Sequence, residues 1–262
     1  MKKKNKFASF LIILAVVTLV LTVFLLFAVT RQQKNNQFIE IDPDSIKLVQ
    51  LDPPKEGDPI AIVVTSLGEF RFRLFPEQSP DAVKNFTELA ESGWYDDTYV
   101  YDSREGAYSC MGAKSKTGEI SGYPDQSHEH TPRELSQDLW SFRGAVCAVN
   151  TSVERTFSEK LFGGGQYFNG SRFALLNTVE LSDDMREEFL ESSASKELGQ
   201  AYLDLGGIPN FAQQMTVIGQ TYEGFDTVEK LAALESEFNG EYYLPKEEVK
   251  LISVTISEYS PE

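Results

Sequence analysis

The sequence predicts a mainly β globular fold, of closed-sheet or α+β type, behind a single membrane-spanning helix. Three observations carry this: an uncharged apolar run at the N-terminus, a β-rich hairpin opening the globular part, and many short strand-like runs with few amphipathic helices among them. The first run, Phe7 to Thr30, is 24 residues without charge, Pro or Gly, and a helix needs about 20 such residues to cross a bilayer core. Lys2, Lys3, Lys4 and Lys6 precede it and Arg31 and Lys34 follow, so the bias of basic residues puts residues 1–6 in the cytoplasm. The run is too long for the apolar part of a cleaved signal peptide and ends in a poor cleavage site, Ala28-Val29-Thr30. It reads as a signal anchor at 7–30 with the rest of the chain outside the cytoplasm. Residues 31–58 are polar and punctuated by Pro43, Pro53 and Pro54, which reads as a stalk with one short strand at Ile46–Leu51.

From residue 59 the elements follow in order. IAIVVTS (60–66) and EFRFRLF (69–75) are β-branched or aromatic runs joined at Leu67-Gly68, and Phe70, Phe72 and Leu74 alternate with Arg71 and Arg73. In SPDAVKNFTELAESG, Ser79 is placed to cap a helix, Pro80 suits its first position, and Ala82, Val83, Phe86, Leu89 and Ala90 form one apolar stripe. Tyr99–Gly112 reads as a strand pair, and further strands are expected at Gly144–Asn150, Phe173–Leu176, Met215–Thr221 and Val249–Glu258. A short helix is expected at Phe225–Leu234. Another, with Ser182 at its start, is expected inside 181–207, where Met185, Phe189, Leu198, Tyr202 and Leu205 share one side.

Charge narrows the function classes. Without residues 1–36 the chain keeps 18 basic and 40 acidic residues, a net charge of −22, which repels phosphate backbones and argues against nucleic-acid binding. Cys110 and Cys147 are the two cysteines; outside the cytoplasm they could pair or remain thiols, and sequence leaves both open. His128-Glu129-His130 beside Asp125 reads as a solvated loop more readily than a metal site. Gly163–Gln166 lacks the Lys-Ser/Thr of a phosphate loop.

With the elements in this order, the stretch IVVTSLGEFRFRLFPEQSPDAVKNFTELAESGWYDD resembles the opening of the cyclophilin family of peptidyl-prolyl isomerases. The similarity continues in RGAVCAVNTS (143–152), FNGSRFALL (168–176) and GGIPNFAQQMTVIGQTYEGFDTVEKL (206–231), covering about 58–260. It implies a closed eight-stranded antiparallel barrel capped by helices, at 59–262 here. The activity it implies needs no nucleophile, metal or cofactor, only an apolar pocket for the prolyl ring and a donor aimed at the prolyl nitrogen. Its partners would be proline-containing polypeptides, such as unfolded secreted proteins, with the lipid bilayer held through the N-terminal helix.

The family's Phe-His-Arg segment maps onto Val100-Tyr101-Asp102 counting forward from Tyr95-Asp96, and onto Tyr101-Asp102-Ser103 counting back from Tyr108. Neither register supplies the arginine. Arg104 lies one or two residues further on, and Arg172 could supply a donor from the other side of the groove. The resemblance places the pocket at Tyr101, Tyr108, Met111, Asn150, Ala174, Phe211 and Met215. Ala174 stands where the family has its floor phenylalanine, Asn210-Phe211 where it has Trp-Leu, and Met215 where it has a histidine. Both an isomerase and a binding module that has lost catalysis fit these departures. The loop at about 177–207 is about 25 residues longer than the family's usual one, a length that costs little entropy at a surface.

Overall fold

The computed structural model describes residues 2–34, 38–120, 130–152 and 167–261. Helix α1 spans Lys2–Lys34, and its window Ser9–Phe27 is long and apolar enough to cross a membrane. Within it Thr18 and Thr22 return their hydroxyls to the carbonyls of Leu14 and Thr18, so neither polar group would face lipid unbonded.

The globular part is built on strands β1 (Pro59–Thr65), β2 (Gly68–Leu74), β3 (Thr98–Arg104), β4 (Tyr108–Ala113), β5 (Thr131–Pro132), β6 (Ala145–Ser152), β7 (Tyr167–Leu176), β8 (Thr216–Glu223), β9 (Ser236–Phe238), β10 (Tyr243–Pro245) and β11 (Lys250–Glu258). Eight of them form a ring in the order β4-β3-β11-β1-β2-β8-β6-β7, and β7 pairs back onto β4 to close it. Every pairing in the ring is antiparallel. Closure leaves the ring no free edge of backbone donors. β5 adds to the outside of β7, and β9 and β10 make a separate hairpin.

The alternation read in β2 is the reason this sheet can close: Phe70, Phe72 and Leu74 are fully buried while Arg71 and Arg73 face outward. At the turn, the Thr65 hydroxyl donates to the Gly68 carbonyl and accepts from the Leu67 amide. The interior is aromatic. Phe86, from helix α2 (Pro80–Glu91), sits 5.6 Å from Phe72, 5.3 Å from Tyr95 and 5.4 Å from Phe173, centroid to centroid. Where β8 crosses β2, a Cβ on Gly219 would lie 2.4 Å from the Phe72 ring, so only glycine permits that approach. Helix α5 (Phe225–Ala232) closes the other end, and its Leu231 carbonyl accepts from the hydroxyls of Ser103 and Ser109. These bonds satisfy a carbonyl that the helix leaves without an intrahelical partner.

Ser79 does not cap α2 with its side chain, as expected from sequence. Its hydroxyl donates to the Val217 carbonyl, and the carboxylate of Glu134 accepts from the Asp81 and Ala82 amides instead. A negative group at the helix N-terminus is favourable whichever segment supplies it.

The stalk expected at 31–58 is not free: from residue 38 onward it is a strap docked on the barrel. Ile41, Ile46 and Leu48 pack against a core of Trp140, Phe142, Leu198, Ala201 and Tyr202. Gln50, 6% exposed, donates to the Trp140 carbonyl and to Gln220 Oε1, and accepts from the Trp140 amide. The strand expected at Ile46–Leu51 is a 3-10 turn at Val49–Leu51, because side chains rather than a sheet edge meet its backbone; the Lys47 amide donates to Asp138. The insertion holds two helices rather than one, α3 (Asp183–Ser192) and α4 (Lys196–Leu205). Ser195 breaks the run and caps α4 through the Leu198 amide, whereas Ser182 makes no such bond at α3. Phe189, Leu198 and Tyr202 face the third core, while Met185 and Leu205 are exposed.

Candidate functional site

The outer face of the β4–β7–β6 sheet forms the floor of the candidate groove. Cys110, Ala174 and Cys147 are direct cross-strand partners in one row, and Val217 of β8 extends it. They belong to an outer cluster in which Tyr101 is fully buried and Tyr108, Val149, Phe211, Met215 and Tyr242 are partly exposed. The rings of Tyr108 and Phe211 stand 5.9 Å apart as one wall. The structure therefore brings Tyr101, Tyr108, Ala174, Phe211 and Met215 together. Asn150 borders them, donating its amide to the Gln214 carbonyl beside Met215.

Met111 does not belong to this surface. It is fully buried inside the barrel with Val100 and Phe173, because residues of like parity share a strand face and Tyr108 faces outward. Cys110 holds the position expected of Met111.

β3 carries a bulge. Val100 pairs with Met111 and Asp102 with Cys110, so Tyr101 is the extra residue, and its side chain enters the outer cluster. Beyond it Ser103, the arginine's counterpart when counting back from Tyr108, bonds inward to Ser109 and Leu231. Arg104 pairs across from Tyr108 but sits at the strand's exposed end, its guanidinium 5.7 Å from the Tyr243 centroid. It stands beside the Tyr108 wall rather than on the groove floor.

Arg172 lies at the edge of that floor. Two residues before Ala174 on β7, its guanidinium lies 4.5 Å from the Tyr101 centroid and donates to the Glu119 carbonyl at 3.0 Å. Its charge opposes the upward shift that burial gives the Tyr101 and Tyr242 hydroxyls, whose rings meet edge-on at 5.1 Å. Sequence reasoning missed Tyr242, which no local signal connects to residue 101, and Asp102. The Asp102 carboxylate accepts from the Tyr243 amide and the Tyr108 hydroxyl; burial raises its pKa against the lowering effect of those bonds.

Both cysteines are buried free thiols. Burial first, then the Asp102 charge, pushes the Cys110 thiol up, and burial alone pushes Cys147 up to about 12. Neither is a thiolate nucleophile at neutral pH. The inserted helices pack on Trp140 and Phe142. Among the described residues no group of three His, Cys, Asp or Glu is placed to hold a metal; Asp125, His128, Glu129 and Gly163–Gln166 lie outside the described residues.

Comparison with known proteins agrees with this geometry. Residues 60–173 match the family model described as cyclophilin type peptidyl-prolyl cis-trans isomerase. A provisionally named peptidyl-prolyl cis-trans isomerase of Staphylococcus saprophyticus is 26% identical over 192 residues, covering 70% of this chain and 86% of the relative. One from Staphylococcus aureus is 25% identical, covering 68% and 83%. A Cryptosporidium parvum cyclophilin crystallised in the presence of the dipeptide Ala-Pro superposes with a TM-score of 0.53 at 20% identity, covering 76% of this chain and 98% of that one. The closed barrel has the cyclophilin fold, and residues 60–173 are similar to the cyclophilin-type domain.

Proposed function

We propose that this chain binds proline-containing segments of polypeptides outside the cytoplasm and accelerates their cis–trans isomerisation, with Arg172 as the donor. The observation that carries the reading is the Arg172 guanidinium over Tyr101, at the edge of an apolar floor made by Ala174 and walled by Phe211 and Met215. Resonance stiffens the peptide bond with a barrier of about 18–20 kcal/mol. A donor aimed at the prolyl nitrogen favours the pyramidal nitrogen of the twisted state, whose lone pair has left conjugation, over either planar ground state. A guanidinium suits this because it stays charged and presents a fixed fork of donors. The Cryptosporidium structure with Ala-Pro supports proline as the ligand. An anchored domain outside the cytoplasm would meet secreted chains that are still folding.

A second reading, a proline-binding module without catalysis, is favoured by one observation: the arginine's counterpart is Asp102 or Ser103 by the two registers, neither of which is an arginine, and Ser103 is bonded inward. Exchange-detected isomerisation of Xaa-Pro peptides by the full chain in lipid nanodiscs separates the two. Arg172→Ala is expected to lower the catalysed rate about 100-fold, the usual cost of losing one such donor, while peptide binding persists. Wild-type rates equal to the uncatalysed reaction select the binding module. Undiminished rates in Arg172→Ala overturn the role of Arg172.

A further inference from the structure

A cleft of about 560 Å³ lies between the insertion and the barrel, lined by Gly106, Arg143, residues 177–181, Arg186, residues 202–207, Pro209 and Glu229. It adjoins the groove. Gly106 is two residues from Tyr108, whose strand partner Leu176 precedes the cleft residue Asn177, and Pro209 is two residues from Phe211, whose ring stands beside that of Tyr108.

One side of the cleft is an extended segment leaving β7. The Asn177 amide donates to the Ala107 carbonyl and the Val179 amide to the Gly207 carbonyl. The alternating residues Thr178 and Glu180 make no backbone hydrogen bond among the described residues. A row of free backbone groups beside open space is what an added strand pairs with. The charges have a direction as well. Arg143 is paired with Glu229, and Arg186 lies within 4.0 Å of both Glu180 and Asp183. Asp204 has only the Gln200 amide as a partner among the described residues. The last turn of α4 brings carbonyl ends to the same wall with no basic side chain in it, which favours a cation there.

We infer that this cleft is a second polypeptide subsite. It receives the segment flanking the bound proline, extended along 177–181, and takes a lysine or arginine of that segment against Asp204. The inference rests on the groove reading above. The insertion would then convert a short proline pocket into a longer site that prefers basic sequences.

The test uses the full chain in nanodiscs and three fluorescent peptides: a short Ala-Pro peptide, a longer one with lysine flanking the proline, and the same one with glutamate. The lysine peptide is expected to bind about ten-fold more tightly than the short one, and the glutamate peptide no better than the short one, given the modest worth of a partly exposed charge pair plus strand pairing. Leu205→Trp fills the cleft from an exposed position and should bring the lysine peptide to the short peptide's affinity without changing the latter. Asp204→Asn should erase the lysine-over-glutamate preference. Equal affinity of long and short peptides in the wild type, or a gain that survives Leu205→Trp, overturns the subsite while leaving the groove intact. Failure of the short peptide to bind overturns the groove reading, and this inference with it.

Discussion

On β7, Phe173 and Leu175 point into the barrel while Arg172, Ala174 and Leu176 point out of it. Phe173 meets Phe86 and Tyr95 at ring distances of 5.4 Å, so that side is set by volume. The outer side has a small residue at its centre and a guanidinium at one end, under a cover of Tyr101 and its neighbours, so it is set by the groove it lines. One strand therefore answers two demands, and substitutions on its two faces should differ in kind. Inner changes cost stability; on the outer face, loss of Arg172 should alter rate, and added bulk at Ala174 should cost some stability as well.

The largest effect is expected at Phe173→Ala. Removing a ring from the Phe86–Tyr95–Phe173 contact should cost about 3–5 kcal/mol, read as a lowered unfolding midpoint in denaturant, and a cost under about 1 kcal/mol would break the contrast. Next comes Ala174→Phe, which restores the bulk that the resemblance expects on the outer face. Ala174 is 2% exposed between Cys110 and Cys147, so the added ring should destabilise by about 1–3 kcal/mol and displace Tyr101. An unchanged midpoint with tighter proline binding would show instead that the floor has spare room.

A third test uses pH. Burial raises the Asp102 carboxyl, so the folded chain holds that proton more tightly than the unfolded chain, and stability falls as pH rises from the ordinary carboxylate value through the raised one. Burial raises Glu134 in the same direction. Asp102→Asn should flatten Asp102's share of that decline, seen as a variant midpoint that gains on wild type toward neutral pH. Parallel curves would refute the assignment. The smallest effect is expected at Lys84→Ala on the exposed face of α2, where the 3.8 Å contact with Glu88 is worth less than about 0.5 kcal/mol.

The same contrast shows what the sequence made legible. Hairpin β1–β2 and helix α2 follow from alternation, apolar stripe and turn residues within reach of one another, and they stand where expected. Parity along β4 also held the information that Cys110, not Met111, shares Tyr108's face. Other features depend on partners far along the chain. Glu134 caps α2 in place of Ser79, the Tyr101 bulge is fixed by pairing with β4, and Tyr242 reaches Tyr101 across 141 positions of sequence. Nothing local announces any of them. Arg172 stood out in the sequence only as a candidate donor from the other side of the groove; its position over Tyr101 required the barrel.

The docked strap fixes how far the domain can travel. Four peptide steps separate Lys34 from Phe38, a reach of about 14 Å, and by Gln50 the chain is pinned to the barrel through Trp140. With α1 seated in a bilayer, as proposed above, the domain would stay on a very short leash at the membrane surface. Under that proposal, encounter with a polypeptide would become a search over an area rather than through a volume.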